Sequence, residues 1–192
     1  MGIDPITGAD WAGSLVAALS IVALFRKSLW YWYLSIVATL LWFYVFVQTD
    51  SAMVAGLQLF YVLFSLYGIA RWAVERRGGV VPGRLDHAGA GLAVGILVAT
   101  VTLSEFTHWS AYVELGAVAA AILANWLTAL KVIWCWPVWI ASNVLFAILF
   151  WHLDLSGLFL MQFVYAVLSV VGYYSWRREQ AAPSPAAVEV AA

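Results

Sequence analysis

Trp136-Pro137-Val138-Trp139-Ile140-Ala141-Ser142-Asn143 sets two indoles and a carboxamide at steps of about one helical turn. Trp139 and Asn143 share a helix face, with Asn143 one turn deeper. An aromatic plane beside an amide suits a flat ligand: the ring stacks, by cation–π if it is cationic, and the amide fixes its orientation. The competing reading is packing, with Trp139 filling volume and Asn143 bonding a neighbouring helix. Trp136, nearer the segment's end, reads as an interfacial anchor at the edge of the same candidate site. Two further stretches follow Q-x-x-Y-x-x-x-S-x-x-G-x-x-x-W: Gln58 to Trp72 and Gln162 to Trp176. On a helix each is a stripe about 80° wide among Leu, Val, Phe and Ala. Gln58, Gln162 and Tyr165 are ligand candidates, because an amide well inside an apolar run cannot face lipid cheaply. Tyr61, Ser65 and Ser169 fit an interhelical hydrogen-bond seam equally well, with Tyr61 kept in the site. Asn125 and Trp126 are second-tier lining residues.

Other chemistries are missing. His87, His108 and His152 form no metal-spaced pair, and no Ser/His/Asp set or Gly-rich phosphate loop is present. The single Cys135 excludes an intramolecular disulfide and a cysteine metal cluster. The chain is not read as an enzyme, and no cofactor, metal or nucleic-acid partner is expected. No charged residue falls near the centre of an apolar run, where proton relays place one. That favours passive transport. Glu114, about one turn inside its run and aligned with Asp10, is the nearest exception and stands at the outer mouth.

The elements that carry these residues are apolar throughout. The 192 residues are 65% hydrophobic and 10% charged, far below the roughly 25% charge of a soluble domain. The spacing predicts an all-α polytopic membrane protein with seven spans: about 9–25, 28–48, 51–73, 86–104, 109–130, 132–152 and 155–176. Very short joints at 26–27 and 131 demand antiparallel hairpins. No basic n-region precedes Arg26, so the first run is read as retained. Alternating sides along this layout puts every Lys and Arg on one side, and Asp4, Asp10, Asp50, Glu105, Glu114 and Asp154 on the other. The N-terminus is then outside and the C-terminus cytoplasmic.

Residues 27–75 recur at 131–179 without a gap. Lys27/Lys131, Trp30/Trp134, Trp32/Trp136, Asp50/Asp154, Gly68/Gly172, Trp72/Trp176 and Glu75/Glu179 are among the matched pairs. Two three-helix copies in the same orientation need one extra crossing, which 86–104 supplies, giving a 3+1+3 plan of parallel repeats. The expected units are 9–76, a basic loop and linker helix 77–104, a second repeat 105–178, and a disordered tail 179–192. Gly91-x-x-x-Gly95 in the linker is read as close packing within the monomer rather than dimerisation. Trp139, Asn143, Asn125 and Trp126 stand opposite Ser35, Thr39, Ile21 and Val22, so the site is expected mainly in the second copy. Pro137, opposite Tyr33, reads as a hinge or a passive terminal proline.

With Trp136-x-x-Trp139-x-x-x-Asn143 and the twin Q-x-x-Y stripes, residues 10–178 resemble the PnuC family of bacterial vitamin transporters. The resemblance implies a 3+1+3 fold similar to the SWEET sugar transporters, in the inner membrane. It implies facilitated diffusion of nicotinamide riboside, thiamine, riboflavin or a deoxynucleoside, trapped by a cytoplasmic kinase. It also implies that Trp139, Asn143, Gln162 and Tyr165 line the pocket. The second run lacks the Asn of riboflavin-type members, so nicotinamide riboside stands first and thiamine next. A homo-oligomer is compatible with this plan. Two alternatives stay open: a substrate-capturing subunit of an ATP-driven importer, docking through Gly13-x-x-x-Ala17, and a non-transporting scaffold.

Overall fold

Asp4 starts the first helix by accepting the Thr7 backbone N–H at 3.1 Å, with Pro5 in the first turn where its missing N–H costs nothing. The computed structural model describes residues 4–48, 52–103, 108–152 and 156–181. They form seven helices: α1 Pro5–Phe25, α2 Trp30–Gln48, α3 Ala52–Arg76, α4 Gly83–Leu103, α5 Trp109–Ala129, α6 Cys135–His152 and α7 Ser156–Ala181. Asp50, Glu105, Asp154 and most of the expected tail lie outside the described residues. Five helices, namely α1, α2, α5, α6 and the Leu158–Ala181 part of α7, are long and apolar enough to cross a bilayer. Their outer faces display Leu15, Leu40, Val144 and Val167. So much exposed apolar surface is stable only against lipid.

Both tight hairpins close in the same way. Lys27 and Lys131 adopt φ of 48° and 55°. Around each, the flanking N–H groups return to the last turn: Lys27 to Leu24 O and Ser28 to Ala23 O, then Lys131 to Thr128 O and Val132 to Leu127 O. This is the 6→1 and 5→2 pattern that glycine usually occupies. The α3 end repeats it at Gly78, φ 70°.

The helices close into a ring. Neighbours touch in the order α1, α2, α3, α5, α6, α7 and back to α1, while α4 packs on α3 and α5 from outside. Gly89 lets α4 approach: a Cβ there would lie 2.3 Å from the Tyr67 ring. This corrects the sequence expectation for Gly91 and Gly95. Both have open space at the Cβ position among the described residues. Arg71 anchors the same helix by pairing with Asp86, and α4 begins at Gly83 rather than at residue 86.

One end of the ring, the end bearing the lysines, is sealed by tryptophan. Trp32 meets Trp72 edge-on at 5.4 Å, and Trp136 meets Trp176 at 5.3 Å. All four are at most 1% exposed. A Cβ on Gly68 would sit 2.2 Å from Trp32, and one on Gly172 2.3 Å from Trp136. The glycines of the stripe therefore exist to admit indoles. The same geometry corrects the reading of Trp136 as an interfacial anchor. That position belongs to Trp30 and Trp134, 66% and 65% exposed at the hairpins.

The indoles also bind the ring across its seams. Trp72 Nε1 donates to Ala129 O on α5 at 2.8 Å, and Trp176 Nε1 to Leu24 O on α1 at 3.2 Å. Each carbonyl belongs to the last helical turn, where spare acceptor capacity remains; Leu24 O also takes the Lys27 N–H and Ala129 O the Arg71 Nε–H.

Candidate functional site

Inside the ring lies a cavity of about 590 Å³, within the range of small-molecule sites. Its floor is Leu24, Tyr31 and Trp136, next to the tryptophan layer. It extends to Phe46 and Phe150, each two residues short of the far ends of α2 and α6. Eight of the nine residues singled out from the sequence line it: Gln58, Tyr61, Asn125, Trp136, Trp139, Asn143, Gln162 and Tyr165.

The helices supply these side chains by periodicity. Gln58 and Tyr61 come from α3, Gln162 and Tyr165 from α7, each from the inward stripe. Trp139 and Asn143 come from one face of α6, and Asn125 from α5. The four amides are only 6–7% exposed. Asn125 Nδ2 donates to Ala121 O and Gln162 Nε2 to Leu158 O, leaving their carbonyl oxygens to the cavity. Gln58 and Asn143 have no hydrogen-bond partner among the described residues, and the buried Tyr165 hydroxyl lies near Ser14 without a well-formed hydrogen bond. Buried amides and hydroxyls cost free energy until something bonds them. This is a site built to receive donors and acceptors.

Trp139 is held rather than loose. Its Nε1 donates to Thr128 Oγ1 at 3.2 Å, and the Thr128 hydroxyl donates to Ala124 O at 2.7 Å. Ser142 Oγ ties α6 to α5 through Ala117 O at 3.0 Å. Together these bonds set the rotation of α6, so that Trp139 and Asn143 face inward.

Trp126 is the correction. It does not line the cavity; its indole packs into the hydrophobic core near Tyr67. Consecutive helical residues diverge by about 100°, and here the rotation of α5 turns Asn125 to the cavity and Trp126 away from it. The docking face suggested at Gly13 and Ala17 is also corrected. Gly13 is closed off by Trp42, whose Nε1 would lie 3.0 Å from a Cβ there, and Ala17 lines the cavity.

Sequence reasoning missed Trp42, a cavity residue whose Nε1 is buried without a partner. It stands opposite Phe146 in the repeat, another lining residue. That equivalence was the available signal. Ser35 and Thr39, the counterparts of Trp139 and Asn143, line the cavity too, so the first copy contributes a polar wall of its own.

A family model described as nicotinamide mononucleotide transporter matches residues 7–178. The chain belongs to that family, the PnuC family. No curated protein and no solved structure matches it. The match runs from α1 into α7, so the ring, its tryptophan floor and the cavity all lie within it. As a PnuC-family protein the chain is a multi-pass membrane transporter of a small molecule.

Proposed function

We propose that this protein takes up a flat, nucleoside-like vitamin, nicotinamide riboside first and thiamine next, by facilitated diffusion across the inner membrane. The observation that carries the reading is the pair of buried amides Gln58 and Asn143, without a hydrogen-bond partner among the described residues, in one cavity with the fixed indole of Trp139. Trp139 stacks the ring, while Asn143, Gln58 and Gln162 bond its carboxamide and ribose hydroxyls. Tyr61, Tyr165 and Asn125 complete the polar wall, and Trp136 supports it from below. No Lys, Arg or His lines the cavity among the described residues, which favours the nucleoside over a phosphorylated ligand.

The protein spans the membrane seven times in a 3+1+3 arrangement of parallel repeats, with α4 as the linker. The matched Trp32/Trp136, Gly68/Gly172 and Lys27/Lys131 geometries support that plan. The N-terminus lies outside, and the tryptophan floor and basic end face the cytoplasm. Phosphorylation by a cytoplasmic kinase removes the product and makes uptake one-way.

The test is a thermal-shift and calorimetry panel on purified protein with nicotinamide riboside, thiamine, riboflavin and deoxynucleosides. Nicotinamide riboside raises Tm by mass action, and Asn143→Ala weakens its binding by about 1–3 kcal/mol, the cost of lost polar pairing. A panel without one stabilising nucleoside-like ligand contradicts the proposal.

A further inference from the structure

Among the described residues, Glu114 is the one charged side chain that lines the cavity. It sits half-buried on α5 with no ion pair or hydrogen bond to any described residue. Asp10, its counterpart on α1, is half-buried near Tyr165 but does not line the cavity, while Arg71, Glu75, Asp86, Lys131 and Lys27 are paired at the opposite end. A carboxylate held in an apolar, aromatic cavity is relieved by a proton or by a cation that arrives there.

Its position along the cavity follows from the Ser142 bond to Ala117. That bond places the Asn143 turn of α6 level with residue 117 of α5. Glu114 is three residues, ~4.5 Å, further from the tryptophan floor. A ligand moving inward meets Glu114 first, then Asn143, then Trp139. The walls along this path include the aromatic residues Trp42, Phe46 and Phe150, a lining that suits a cation better than an anion.

We propose that Glu114 selects for positive charge: it draws cationic heteroaromatic ligands into the cavity and discriminates against neutral or anionic ligands of the same shape. The inference rests on the cavity being the nucleoside site and adds the charge class of its ligand. In low-dielectric surroundings one unscreened carboxylate acts over the ~10 Å to the stacking indole. A phosphate monoester, with about −1.5 to −2 charge, meets that field with no cation to answer it.

The test compares nicotinamide riboside, a cation, with its uncharged reduced form on purified wild type, Glu114→Gln and Glu114→Asp, by stopped-flow tryptophan fluorescence at two ionic strengths. Wild type favours the cation, and its association slows with salt. Glu114→Gln loses about tenfold in cation association, at the low end of what a steering charge contributes, and loses the salt dependence. The neutral form stays within about twofold, and Glu114→Asp keeps the preference. Equal losses for both forms mark a structural role and overturn the proposal, as does a cation preference retained in Glu114→Gln. Loss of pH-driven flux of the neutral form in Glu114→Gln assigns a proton to this carboxylate and also overturns it. If wild type binds neither riboside, the nicotinamide riboside reading fails. The charge proposal is then decided on thiamine against its neutral 3-deaza analogue, with the same outcomes.

Discussion

The Lys131 ammonium lies 2.5 Å from the Glu75 carboxylate, reaching from the α5–α6 hairpin to α3. Lys27, 104 residues earlier, reaches Glu179 at 2.8 Å. Each lysine also lies over a tryptophan of the opposite half: Lys131 5.0 Å from the Trp72 ring centroid, and Lys27 4.9 Å from that of Trp176. Every contact of the clasp crosses between halves. The lysines hold left-handed backbone that costs a non-glycine residue about 1–2 kcal/mol. The clasp gives that strain a purpose.

Replacing Lys131 separates the two effects. Lys131→Ala loses the clasp and keeps the backbone strain; Lys131→Gly loses the clasp and relieves the strain. The glycine variant is therefore the more stable of the two by about 1 kcal/mol. Glu75→Gln costs more than Glu179→Gln, because Glu75 is 25% exposed and also pairs with Arg71, whereas Glu179 is 58% exposed. Thermal melts in one detergent check both orders. Equal stability of Lys131→Ala and Lys131→Gly argues against strain at this turn.

Gly172→Ala and Gly68→Ala each place a methyl inside an indole, and no flexible chain end is there to move aside. Each costs about 1–3 kcal/mol or more, and Trp136→Phe partly rescues Gly172→Ala by opening the space. Gly91→Ala and Gly95→Ala, with open space around them, stay within about 0.5 kcal/mol of wild type. Chemical or thermal denaturation of the four variants gives the comparison. A Gly91→Ala loss as large as that of Gly172→Ala contradicts the packing described.

Thr128→Val removes the acceptor of the Trp139 indole without changing the shape of the core. The orphaned N–H costs about 1–2 kcal/mol. The ring then turns more freely, so ligand affinity falls while the cavity keeps its size. Thr128→Ser restores the acceptor and the affinity. Ligand titration by fluorescence distinguishes this from a packing defect, which serine would not repair.

The stripes were legible because periodicity alone decides which side of a helix carries Gln58, Tyr61, Gln162 and Tyr165. Trp139 and Asn143 were legible for the same reason. Trp136 was not, because distance from a helix end says nothing about what packs there. Only Gly172 on α7, 36 residues later, makes room for the indole. Gly89 against Gly91 and Asn125 against Trp126 show the same limit. A helix face is fixed by its neighbours, and one position of rotation moves a residue from interface to open surface. The ring order and the position of α4 across α3 and α5 are tertiary facts that no local pattern carries. Trp42 was readable only by following the repeat from Phe146.

The most direct test of the cavity as the transport path is flux through purified protein in liposomes without ion gradients, ATP or kinase. Labelled nicotinamide riboside is expected to equilibrate across wild-type vesicles, unaffected by an uncoupler. Asn143→Ala and Gln58→Ala slow it about tenfold or more, as expected from ~1.4 kcal/mol per decade, while their melts remain cooperative. Wild-type vesicles that pass no ligand, or folded Asn143→Ala and Gln58→Ala variants that carry it at the wild-type rate, contradict that path.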